Sequence, residues 1–120
     1  MSFIDFLNEA VKTTVQPKTK DELKKIIDKT IKEEGYDCDL NFIDTSLIKD
    51  MSELFYKSNF NGDISKWDTS KVENMAGMFL GSEFNGDISK WDVSNVKSID
   101  GMFENSPLEG NEPDWRIEKN

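Results

Sequence analysis

At 120 residues the chain is long enough for one domain with a modest core, and its net charge of −9 weighs against direct contact with the phosphate backbones of nucleic acid. It contains no histidine and a single cysteine, Cys38, which removes the commonest general base and metal ligand together with any intramolecular disulfide. No apolar stretch approaches the roughly 20 residues needed to cross a bilayer.

From the N-terminus, Ser2 is placed to cap a helix carrying Phe3, Phe6, Leu7, Ala10 and Val11 at helical spacing, with Ile4 and Val15 widening the stripe. That stripe either packs on the next helix, the simpler account, or offers a face to a partner. Gln16-Pro17 ends the segment, because the residue before proline avoids the helical region. Thr19 and Glu22 then form a capping box ahead of Leu23, Ile26, Ile27, Thr30 and Ile31, and Gly35 is placed to stop that helix. Residues 1–35 are therefore expected to be a helical hairpin closing one end of a repeat array.

The string FNGDISKWD fills 60–68 and returns at 84–92, a period of 24 residues, and Met78-Phe79 returns as Met102-Phe103. A fixed period in the twenties marks a solenoid, in which each repeat buries its apolar side only against its neighbours. Stepping backward finds Tyr36, Ile43, Asp44-Thr45-Ser46 and Leu54-Phe55 in register; stepping forward finds Leu108 and Trp115 in a worn copy broken by Pro107 and Pro113. The expected organisation is three repeats over 36–107 and a degenerate C-terminal cap over 108–120.

Within one repeat, Asn61-Gly62 and Asn85-Gly86 read as tight turns suited to positive φ. Ile64 and Trp67, with Ile88 and Trp91, suggest a short strand. Val72, Met75, Met78 and Phe79 fall on one helical face, opened by a Ser70–Glu73 capping box. Each repeat is thus expected to run turn, strand, helix, giving an α/β repeat fold of about three turns.

These residues carry a resemblance. FNGDISKWDVSNV at 84–96, the Met75, Met78-Phe79 and Met102-Phe103 offsets, and the lead-in DELKKIIDKTIKEEGYDCDLNFIDTS at 21–46 are similar to bacterial BspA-like leucine-rich-repeat surface proteins. The resemblance covers residues 19–107 and implies a short leucine-rich-repeat-like solenoid used for adhesion or protein binding, without enzymatic activity. The start of the chain carries no basic, apolar export signal, so the expected location is cytoplasmic.

Charge then points to a partner. Residues 1–35 balance seven lysines against seven acidic residues, whereas 36–120 carry eight basic and seventeen acidic residues. The whole excess lies on the repeats, where it serves solubility or docks a basic protein surface. Asp44, Asp68 and Asp92 share one register, either as Asx-type caps, the favoured reading, or around a calcium ion; Lys66 and Lys90 beside them argue against a metal. Trp67 and Trp91 are expected in the core rather than on a binding surface, and Cys38, flanked by Asp37 and Asp39, is a packing residue rather than a nucleophile.

The functional expectation is a non-enzymatic protein-interaction module needing no cofactor or metal. Its candidate surface is Asp63, Lys66 and Asp68 with Asp87, Lys90 and Asp92. Two alternatives stand beside it. One is a small phage- or mobile-element-encoded inhibitor occupying the basic groove of a nucleic-acid-binding enzyme; the other is a fragment of a surface adhesin.

Overall fold

The computed structural model describes residues 14–118. The helix expected over 3–15 lies almost wholly outside the described residues; its last position, Val15, is not helical but forms an isolated parallel bridge with Ile43. Helix α1, Lys20–Glu34, forms where the sequence places it. The Thr19 hydroxyl accepts from the Glu22 N–H at 3.2 Å, and the Glu22 carboxylate reaches back to the Lys18 N–H at 2.7 Å. Gly35, at φ 97°, ends the helix by donating to the Ile31 carbonyl. Leu23 and Ile27 are fully buried in the same core as the repeats, with Ile26 and Ile31 partly buried against it.

The repeats are not the expected α/β units. Apart from α1, the described residues contain one short helix, α2 at Trp115–Glu118, and no sheet, so a leucine-rich-repeat-like solenoid of strands and helices is not what forms. The 24-residue coils are built from β-turns. The expected strand at Ile64–Trp67 is a turn closed by Trp67 N–H to Ile64 O, and 69–72 is another. The expected helix is replaced by three overlapping turns at 75–78, 77–80 and 79–82, and the same series recurs at 51–58 and 99–106.

The physical reason is left-handed backbone. Glu53, Gly77 and Gly101 stand in one register at φ between 55° and 65°, and Lys57, Gly81 and Asn105 in another at φ between 53° and 68°. Each is the third residue of its turn, where a type II geometry requires positive φ. Two such residues four apart stop any helix, because positive φ turns the chain out of the right-handed spiral; at Glu53, Lys57 and Asn105, which are not glycine, it also costs about 1–2 kcal/mol each. The apolar spacing looked helical because each three-residue turn brings the chain back to the core. Ser70 accordingly caps no helix; its N–H and hydroxyl both donate to Asp68.

Hydrogen bonds between coils replace those of a sheet. The N–H groups of Met51, Glu53, Phe55 and Lys57 donate to the carbonyls of Asn74, Ala76, Met78 and Leu80 at 2.8–3.0 Å. Met75, Gly77, Phe79 and Gly81 repeat this to Ser98, Asp100, Met102 and Glu104. The intervening residues donate within their own turns, so the buried backbone is satisfied without helix or strand. Thr45 and Thr69, both buried, add hydroxyl bonds of 2.8 Å to the carbonyls of Asp68 and Asp92 in the next coil.

Aromatic columns run through the stack. Phe55, Phe79 and Phe103 lie nearly parallel with centroids 5.7 and 6.1 Å apart; Phe60–Phe84 and Trp67–Trp91 are 6.0 and 6.4 Å apart. Trp67 and Trp91 are core residues, as the sequence suggests, each 4% exposed. Their indole N–H groups donate to Leu40 O and Ile64 O, and Trp115 continues the pattern to Ile88 O at 2.9 Å. Gly62 is not at positive φ, contrary to its reading as a turn glycine; it is needed because a β-carbon there would stand 1.8 Å from the Cys38 carbonyl oxygen.

Three substitutions test this packing, each read by urea denaturation. Trp67→Ala should cost about 3–5 kcal/mol by emptying a column position. Gly62→Ala should cost more than about 2 kcal/mol through the backbone clash. Glu53→Gly should leave the fold intact and raise stability by up to about 1 kcal/mol, because glycine relieves the left-handed strain; a clear loss there would contradict the turn assignment.

Candidate functional site

The six residues singled out from the sequence are all exposed. Each of the four aspartates begins a turn and is held by the serine two residues on. Asp63 Oδ1 accepts from the Ser65 N–H at 2.9 Å and hydroxyl at 2.7 Å, and Asp87 Oδ1 accepts from Ser89 at 2.9 and 2.6 Å. Asp68 and Asp92 bind Ser70 and Ser94 in the same way. These are Asx caps, and their geometry comes from the two-residue Asp-x-Ser spacing.

The structure brings Lys66, Asp87 and Lys90 to one shallow groove of about 200 Å³, completed by Ser65. Asp63 lies close enough to Asp87 for their charges to oppose each other. Asp68 and Asp92 stand on the following turn of each coil, outside that groove. Lys66 and Lys90 act on Asp63 and Asp87 as nearby positive charges that favour the carboxylate. The Lys66 backbone N–H is itself held by the Asn41 side chain at 2.9 Å.

The row extends further than the candidate set. Asp39, one period before Asp63, caps the Asn41 N–H at 2.7 Å, and Asp44 caps Ser46 at 2.9 Å while also accepting from Gln16. Asp39 was findable by stepping the 24-residue period back from Asp63, since an aspartate stands at both positions. A third row holds Asp50, Asn74 and Ser98, capping Ser52, Ala76 and Asp100. Asn74 shows that an amide oxygen caps as well as a carboxylate.

Several of these carboxyls are held below the usual range. For Asp63 the main cause is hydrogen bonding from the Asn41 side chain, then Ser65; for Asp87 and Asp44 it is the hydroxyls of Ser89 and Ser46. At Asp50 burial pulls the other way, but hydrogen bonds from Ser52 and the Lys20 charge outweigh it. Among the described residues no cluster of three or more Cys, Asp or Glu could hold a metal ion. Cys38 is buried, and burial followed by the Glu34 charge pushes its thiol up to about 11. Nor is any described helix long and apolar enough to cross a membrane.

Two solution outcomes are expected. Because the four carboxyls titrate lower folded than unfolded, they stabilise the fold at neutral pH, and that contribution should fade as pH drops below about 4. Urea midpoints measured across the acid range should therefore fall steeply there, and less steeply for Asp63→Asn. Cys38 should react slowly with a thiol reagent at neutral pH and rapidly once the chain is unfolded in urea; equal rates would place it at the surface.

No curated protein and no solved structure matches the chain. One family model does, over residues 22–120: the family described as Mycoplasma protein of unknown function, DUF285. That match takes in α1 from Glu22 onward and all three coils, and on it the chain belongs to the DUF285 family of repeat proteins.

Proposed function

We propose that this chain is a non-enzymatic protein-interaction module whose acidic repeat face docks a basic surface on a partner protein. The observation that supports this most is the set of aspartates at Asp39, Asp63 and Asp87 and at Asp44, Asp68 and Asp92, all exposed except the half-buried Asp44 and each pinned by its own turn. Pinned side chains lose little further freedom on binding, and like-signed rows steer an oppositely charged partner. Capping alone does not call for charge, since Asn74 caps without it. The inhibitor reading is the special case in which the basic surface is the nucleic-acid groove of an enzyme. The likeness of the repeats to BspA-like surface arrays favours adhesion as the second reading, with the same face as the contact.

The test separates charge from fold. Replacing Asp63, Asp68, Asp87 and Asp92 together by Asn keeps the capping oxygens; the variant should stay folded, with its urea midpoint at neutral pH lowered by the lost carboxylate contribution of Asp63 and Asp87. Wild type and this variant would be immobilised, exposed to nuclease-treated bacterial lysate and eluted on a salt gradient. Basic proteins retained only by the wild type and released as salt rises are the expected result. The same proteins on both columns would sink the acidic-face reading.

A further inference from the structure

The coil stack ends on an unfinished backbone edge. The third-coil counterparts of the ladder donors are Ile99, Gly101, Phe103 and Asn105. The Asn105 N–H reaches the Glu109 carboxylate at 3.4 Å, but those of Ile99, Gly101 and Phe103 have no acceptor among the described residues. A groove of about 260 Å³ lies against this edge, and Glu104, Glu109 and Glu112 line it together with Arg116, which leaves it net acidic. Glu112 Oε2 is buried and has no hydrogen-bond partner among the described residues, while its other oxygen lies 3.7 Å from Arg116. Among the described residues, unpaired donors in a row and an unpartnered carboxylate oxygen lie along one groove.

We propose that this edge docks a basic, extended segment of a partner protein. Its main-chain carbonyls accept from Ile99, Gly101 and Phe103, and a Lys or Arg side chain meets Glu109 and Glu112. Pairing at this edge continues the ladder that already joins the coils, as strand addition does at an open sheet edge.

A second copy of the chain is a poor occupant on two grounds. A two-fold arrangement would set donors against donors. A head-to-tail arrangement needs the first coil's carbonyls at Ser52, Leu54 and Tyr56, and Lys20 of α1 already holds Ser52 O at 3.2 Å. Charge adds to the case against the two-fold arrangement, because Asp100 and Glu104 replace the Ala76 and Leu80 of the coil before. An acidic edge repels its own kind and admits a basic segment. The inference shares the basic partner of the preceding reading but rests on a different surface.

The test is amide hydrogen exchange by NMR on the full chain, with the peptide acetyl-Lys-Thr-Lys-Thr-Lys-Thr-Lys-amide as probe and spermine as a cationic control lacking carbonyls. The peptide should slow exchange at Ile99, Gly101 and Phe103 by about tenfold, and spermine should not. Combining Glu109→Gln with Glu112→Gln should weaken the peptide effect at least about fivefold while leaving any peptide shifts at Asp63 and Asp87 in place. If Asp63 and Asp87 respond and the edge amides do not, this inference fails and the acidic-face reading stands. Equal protection by spermine, or no response anywhere, also overturns it, and the latter removes support from both.

Discussion

Everything in the repeat region depends on how the backbone N–H groups of an irregular chain are satisfied when that chain is packed against itself. An unpaired buried amide is costly, and neither helix nor sheet is present to absorb it. The coils solve this by alternation along 51–58 and 75–82. Odd-numbered residues donate across to the next coil, and even-numbered ones donate back within a turn. The alternation requires positive φ twice in every coil, which glycine supplies at 77, 81 and 101 and which Glu53, Lys57 and Asn105 adopt at a cost in strain. Once the coils are in register, identical side chains must lie over one another, and the parallel phenylalanine and tryptophan columns result.

The same turn chemistry makes the surface. A turn that starts with Asp or Asn needs a side-chain oxygen for the N–H two residues on, and repetition then lays those side chains out in rows. The third row mixes Asp50, Asn74 and Ser98, so capping tolerates neutral groups, whereas the other two rows are aspartate throughout. That uniform choice concentrates negative charge on a rigid, exposed face. A structural need fixes the geometry, and the additional charge is what binding would use.

The two ends of the stack differ in kind. At the first coil, α1 contributes Leu23 and Ile27 to the core, Lys20 occupies the Ser52 carbonyl, and Val15 bridges to Ile43. At the third, Leu108 and Trp115 cover the aromatic side, but the ladder edge stays uncovered among the described residues. Along 51–57 and 75–81 the ladder has a direction, with the earlier coil donating to the later one, so its ends expose acceptors at one side and donors at the other; Glu73, Glu83 and Lys97 donate the opposite way elsewhere on the coils. Polarity of this sort separates foreign partners from further copies of the chain.

From the residues alone, the 24-residue period, the three coils, the buried tryptophans, the limits of α1 and the Asx role of the aspartates could all be read. Each comes from local chemistry or from the identity of repeated positions: a cap needs its oxygen, and FNGDISKWD written twice must pack the same way twice. What could not be read was the conformation inside a coil. Val72, Met75 and the pair Met78-Phe79 return to the core every three or four residues whether the chain is helical or turning, so periodicity could not tell the two apart. The clue lay in Gly77 and Gly81, but their meaning depends on the coil alongside. Glu53 and Lys57 adopt the same left-handed backbone without being glycine, held there by hydrogen bonds to Ala76 and Leu80. The open edge was likewise invisible, because a missing acceptor is a property of the stack rather than of any residue in it.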